Sequence, residues 1–265
     1  VQVMTVDKLY DQFAYGIHNH PQAIQNFSQW AVQHWPNLKY VLLLGHGYSY
    51  PLSRRGAQNL APGDYIPTYG LPGSDNLMLA PRGSIVPSFA IGRVAARDAQ
   101  EVKSYLDKLK EYDNNLRNTS SLEERLWRKR VLHIAGGSRA DDQIDFKRRM
   151  VRLGEDIRQN GFGGLLTLVS KQSDEVVQQS TSAQVKEAMN AGVAIKAFLG
   201  HGGVTTTDFG LDNPAEFNNK GRYPLIFSLG CKTGDMYDQQ TSLSESFSLA
   251  ANRGGIGYIA SAGFA

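Results

Sequence analysis

Residues 197–231 open as AFLGHGG (197–203) and close as YPLIFSLGC (223–231). Each segment is a short apolar run stopped by glycine, and neither shows the in-out alternation of a half-solvated strand. Runs of that kind fit strands buried on both faces of a parallel sheet. The first run delivers His201 past Gly200. The second delivers Cys231, the only cysteine of the chain, past Gly230.

Outward from this stretch the same rhythm repeats. VLHIAGG (131–137) and GLLTLV (164–169) are further strand patterns, a helix through Gln159 separates them, and helix 182–191 leads into VAIKAFL (193–199). After Cys231, Ser242 and Glu245 form a capping box for a helix carrying Leu243, Phe247 and Ala250. Gly254-Gly255 stops it, and IGYIAS (256–261) enters a last strand. The loop between the two opening segments holds a short helix from Pro214. Strands alternating with helices predict a mostly parallel sheet covered on both faces.

The first half follows the same logic. VQVMTV (1–6) alternates and predicts a short strand. Pro21 opens a helix with Ile24, Phe27, Ala31 and Trp35 on one face, and Pro36 ends it. Lys39 to Leu44 predicts a fully apolar strand of the parallel-sheet type, of the kind buried on both faces, running into Gly45-His46-Gly47. Residues 48–87, dense in proline and glycine, predict a long aperiodic excursion. SFAIG (88–92) is another strand pattern, and Asp98 with Glu101 caps a helix through Tyr112. The polar run DNNLRNTSS (113–121) is the candidate boundary, giving an amino-terminal α/β subdomain over 1–115 and a second over 122–265.

At 265 residues the chain has ample material for a core. No apolar run approaches the roughly 18 to 20 residues of a membrane-spanning helix. The opening VQVMTVD carries no signal peptide and suggests entry part-way through a precursor. Net charge is +3, from 28 basic and 25 acidic residues spread along the chain, which excludes a nucleic-acid stripe. The densest basic run (Lys147, Arg148, Arg149, Arg152) shares a helix with Phe146, Met150, Leu153 and Ile157, the pattern of a solvated helix face. One cysteine makes no internal disulfide and leaves the redox compartment open.

Ligands of open α/β sheets bind beyond the carboxyl ends of the strands, where His201 and Cys231 are expected to lie. Neighbouring strands are about 4.8 Å apart, so side chains leaving adjacent strand ends come within reach of each other. A free thiol is only about 3% thiolate at pH 7, and a nearby imidazole raises its reactivity. Glycine after the histidine lets a scissile carbonyl approach backbone N–H donors, which assigns Gly202 and Cys231 to an oxyanion hole. The alternative from pattern alone is a tight strand-end turn beside an inert buried cysteine.

The order GHG, loop, apolar strand ending in cysteine, helix, then a GG-led strand resembles the gingipain family of cysteine peptidases. TVDKLYDQF (5–13), PQAIQNF (21–27), YVLLLGHGYSY (40–50), SDNLMLA (74–80) and FAIGRVAARDAQEVKSYLDKLKEYD (89–113) are similar to that family's first subdomain. The resemblance implies a caspase-like three-layer αβα sandwich of two subdomains, with His201 as general base or imidazolium partner and Cys231 as nucleophile. It implies a protein or peptide substrate and no cofactor, while family members often bind calcium and no D-x-D-x-D-G loop is present. The strand end Gly136-Gly137-Ser138 departs from the trypsin-like members, which carry an acidic residue near the histidine. Those members also use an aspartate against a basic P1 side chain; the nearest acids here are Asp141 and Asp142. AYGIHNHPQAIQNF (14–27) and YVLLLGHGYSY look nearer the sortase-like branch of the type IX secretion system. That branch implies an exported, surface-associated protein with secretion-system partners. The competing class is a catalytically silent member serving as a surface binding or assembly subunit.

Three other histidines, His18, His20 and His34, are expected at the surface. His46 is a minor rival to His201. Asp208, Asp212 and Glu216 lie in the loop before Cys231, in position to orient His201.

Overall fold

The computed structural model describes residues 1–55, 63–159, 161–173 and 179–264. It divides into a unit of 1–99 with 236–239 and a unit of 100–235 with 240–265.

In the first unit, α1 (Val6–Phe13) packs on α2 (Gln22–His34), whose Ala23, Ile24, Phe27 and Ala31 are buried. The strand expected over 1–6 is absent: residues 1–5 have no regular structure and helix begins at Val6. Alternation over so few residues yields to the helical spacing of Leu9, Tyr10 and Phe13, which face the α2 core. Strands β1 (Tyr40–Leu44) and β2 (Ala90–Val94) pair in parallel. Only one face of β1 is covered: Leu43 is buried while Tyr40, Leu42 and Leu44 are exposed, which corrects the expectation of a strand buried on both faces. The excursion contains two short helices, α3 (Tyr50–Arg55) and α4 (Asp75–Leu79), the latter capped by Ser74. Its residues 56–62 lie outside the described residues.

The second unit opens with α5 (Ala99–Asn118) and the single turn α6 (Leu122–Arg125). Residues 113–118, expected in a connector, continue α5, supported by the Arg117–Asp113 pair one turn apart at 2.8 Å. The sheet comprises β3 (Arg130–Ala135), β4 (Leu165–Ser170), β5 (Ile195–Leu199), β6 (Leu225–Leu229) and β7 (Gly257–Ala260). All pairs are parallel, in the order β4-β3-β5-β6-β7. The helices are α7 (Ala140–Gln159), α8 (Gln179–Ala191) and α9 (Leu243–Leu249).

Period-two alternation separates the sheet's faces. Leu132, Ile134, Val169, Phe198 and Ile226 join Val185 and Met189 of α8 and Phe247 of α9 in the larger core. Ala135 and Ala197 turn the other way, to Met150 of α7, with Phe146, Leu168, Leu199 and Phe227 around them. Helices thus lie on both faces, as a three-layer α/β unit requires. The expected Ser242–Glu245 capping box is formed in full. Arg148 and Arg149 of the basic run extend into solvent and pair with Asp145.

Candidate active site

Strand order reverses at β3: β4 lies on one side of it and β5, β6 and β7 on the other. The carboxyl ends of β3 and β5 therefore flank a topological switch point, where open α/β sheets bind ligands. β5 and β6 are adjacent, with Leu199 opposite Leu229. His201 and Cys231 each follow two residues later, so they leave the same edge side by side.

After His201 the chain folds back as a hairpin. Gly203 N–H donates to Thr206 O at 2.8 Å and Asp208 N–H to His201 O at 3.0 Å, bracketing the Gly202–Thr207 bridge. Gly202 N–H takes no part in those two bonds. Thr207 donates its N–H and hydroxyl to the two carboxylate oxygens of Asp212, at 2.9 and 2.7 Å, which anchors the hairpin's returning arm. Glycine at 202 is a spatial requirement: a Cβ there would fall 2.7 Å from Thr233 Cγ2 and 3.1 Å from the Cys231 carbonyl oxygen. The two backbones meant to supply the oxyanion donors thus run against each other.

Cys231 is half-buried at the strand end. Lys232 then takes a left-handed conformation, φ 56°, which turns the chain sharply. Lys232 N–H donates to Gly263 O at 2.8 Å and Gly234 N–H to Ser261 O at 3.0 Å, fixing the turn to the segment after β7. Beneath it, the buried Thr233 hydroxyl donates to Ser228 Oγ at 2.9 Å. Burial pushes the neighbouring Tyr258 phenol up to about 12.

His201 is half-exposed, and its ring packs roughly T-shaped with that of Phe146 at a centroid distance of 5.7 Å. Its Nε2 lies 3.2 Å from Asp142 Oδ2. Asp142 stands in the first turn of α7, which follows β3 after a short turn. Sequence pattern points to Asp142 only as a candidate for substrate specificity and does not reveal this contact; the residues are 59 positions apart, and an acid opening the helix after a strand end is the available signal. Asp141 turns away to Arg139, at 2.7 Å, whose hydrogen bond holds its carboxyl below the usual range. Of the three loop acids, Asp208 meets His201 through its backbone N–H, Asp212 takes Thr207, and Glu216 lies in a 3₁₀ turn over Pro214–Glu216.

His46, in the first unit, is fully buried. Its Nδ1 donates to Gly63 O at 3.0 Å and its Nε2 accepts from Arg97 at 3.1 Å. Burial, aided by the Arg97 charge, drives it down to about 4, so it is neutral near pH 7. His18 and His34 are at the surface as expected, and His20 is half-buried. Among the described residues no three His, Cys, Asp or Glu side chains gather as metal ligands, and no helix is long and apolar enough to cross a membrane.

The family model "Peptidase family C25" matches residues 1–265. Gingipain R2 of Porphyromonas gingivalis (strain ATCC BAA-308 / W83) is 27% identical over 152 residues, which cover 55% of this chain and 19% of that protein. The crystal structure of the Arg-specific cysteine proteinase gingipain R (RgpB) superposes with a TM-score of 0.70 at 23% identity, covering 96% of this chain and 55% of that one. A complex of the Porphyromonas gingivalis RgpB pro- and mature domains gives 0.68 at 23% identity, over 96% and 56%. The chain thus spans about half the length of these solved chains and about a fifth of the curated relative.

Proposed function

The chain belongs to peptidase family C25 over residues 1–265, and we propose that it is a cysteine-type peptidase using His201 and Cys231. One observation carries this reading. Two adjacent parallel strands deliver the imidazole and the thiol to one sheet edge in register, and a carboxylate meets the imidazole.

The chemistry follows from these positions. Nε2–H of His201 donates to Asp142, which fixes the tautomer with Nδ1 as proton acceptor. The imidazole takes the Cys231 proton, and the sulfur attacks the scissile carbonyl carbon. The resulting oxyanion accepts hydrogen bonds from the Gly202 and Cys231 N–H groups. As the tetrahedral adduct collapses, the C–N bond breaks, the imidazolium protonates the leaving amine, and a thioester remains on Cys231. Water deprotonated by His201 releases the acid; an amine in its place gives transfer. Asp142 acts as an orienting residue, while Asp141 pairs with Arg139.

The finer reading rests on the segments at 14–27 and 40–50. It is a secretion-associated, sortase-like role at the cell surface, with peptide or protein substrates and other secretion components as partners. The contact of Asp142 with His201 favours activity over a silent binding subunit.

The test is digestion of a peptide library with and without a small amine, with Cys231→Ala and His201→Ala as controls. Cleavage that both variants lose supports the peptidase, and amine-capped products support transfer. Failure of the wild-type chain to cleave or to form a thioester contradicts the reading.

A further inference from the structure

We propose that Asp208 positions the catalytic pair, locking the ends of three strands so that the His201 backbone and the helix bearing Asp142 stay in register. This deepens the peptidase reading and rests on it.

Three strand ends converge on this residue. From beyond β5, Asp208 N–H donates to His201 O at 3.0 Å. From beyond β3, Gly137 N–H donates to Asp208 Oδ2 at 2.6 Å. From beyond β4, the buried Lys171 donates its Nζ to Asp208 O at 2.9 Å, while its own N–H donates to Ala135 O at 2.8 Å. The carboxylate fills space that side chains would occupy. A Cβ on Gly136 would lie 2.2 Å from Asp208 Oδ1, and one on Gly200 would lie 2.6 Å from it. Glycine ends both strands because an aspartate from the hairpin sits across them.

The second oxygen shows that the placement is imposed. Oδ1 is buried with no hydrogen-bond partner among the described residues, a cost that an unconstrained carboxylate sheds by turning to water. The link to Asp142 is short. Gln143, the next residue of α7, donates to Gly137 O at 3.1 Å and to Ser173 O at 3.0 Å. Gly137 is therefore held from one side by Asp208 and from the other by the first turn of α7. A shift of Asp208 moves both backbones on which the 3.2 Å His201–Asp142 contact depends.

The experiment reads Cys231 alkylation by iodoacetamide against pH in the full chain, with circular dichroism as the folding control. Asp208→Ala is expected to slow alkylation on the order of 10- to 100-fold, towards the His201→Ala rate, and to flatten its pH dependence. Asp208→Asn keeps an acceptor for Gly137 N–H and is expected to stay within about threefold of wild type. Gly136→Ala displaces the carboxylate, so it slows alkylation alone but adds nothing in an Asp208→Ala background. A folded Asp208→Ala with the wild-type rate and profile overturns the proposal. If Asp208→Ala does not fold, Asp208→Asn decides, and a drop to the His201→Ala rate overturns it. If His201→Ala itself leaves alkylation unchanged, the peptidase reading fails at that control, and the positioning role falls with it.

Discussion

Asp142 Oδ2 lies 3.2 Å from Nε2 of His201, joining the start of α7 to the end of β5. A carboxylate there holds one tautomer and stabilises the imidazolium formed during transfer. Asp142→Asn is expected to lower kcat by about 100-fold with little change in KM, read by steady-state peptide cleavage. An unchanged kcat would remove Asp142 from the mechanism.

Gly202 offers a steric test. Gly202→Ala drives a methyl to 2.7 Å from Thr233 Cγ2 and 3.1 Å from the Cys231 carbonyl. The Thr233 methyl, or the backbone carrying the Gly202 and Cys231 N–H groups, must then shift. The expected result is a loss of about 1–3 kcal/mol in stability and a larger fall in kcat than the stability loss alone gives. Denaturant titration beside kinetics measures both, and full activity with alanine at 202 refutes the assignment.

Among the buried lysines of the second unit, Lys108 and Lys196 differ in their partners. Lys108 Nζ donates to three carbonyls, Phe247 O, Ala250 O and Arg253 O, at 3.1 to 3.3 Å, closing the end of α9. Lys196 Nζ lies 4.8 Å from the Phe247 ring and 5.6 Å from that of Phe217. Burial lowers both, from 10.5 to about 7 for Lys108 and to about 8 for Lys196, against some support from Asp212 for the latter. Above these folded values and below 10.5 the unfolded chain binds more protons, so stability rises with pH there. Lys108→Met is expected to cost about 1–3 kcal/mol at pH 7 by stranding carbonyls. Lys196→Met is expected to be neutral or stabilising and to remove its share of the rise between about pH 8 and 10.5. Urea titrations at pH 7 and pH 10 check the order, and the reverse ranking contradicts it.

On the acid side His46 contributes to the slope in the first unit. Its folded value of about 4 lies below the ordinary 6.5, so the unfolded chain binds the extra proton between them. Stability from this group is whole above pH 6.5 and is lost as pH falls towards 4. Burial lowers His133 of the second unit in the same direction. His46→Gln is expected to flatten acid unfolding between pH 6.5 and 4; an unaltered curve shows that His46 protonates freely.

Much of this was legible in the sequence because glycine punctuates the strand ends. Runs closing at Gly136, Gly200 and Gly230 became β3, β5 and β6, and Ser242 with Glu245 marked the start of α9. What escaped depends on tertiary neighbours. The polar segment at 113–118 stays helical because it extends the frame already set by α5, and β1 exposes one face because its two-stranded sheet is covered on one side. Asp142 could be read as an acid near a strand end, but its meeting with His201 requires knowing that β3 and β5 are neighbours. Asp208 needed the same knowledge, since its partners come from three strands that are far apart along the chain.

The most direct test of the central claim is the rate of Cys231 alkylation at pH 6.5, wild type against His201→Ala, both confirmed folded. Reaction faster than a free cysteine, falling on the order of tenfold or more when the imidazole is removed, is the predicted result. Equal rates in the two proteins would contradict the pairing of His201 with Cys231.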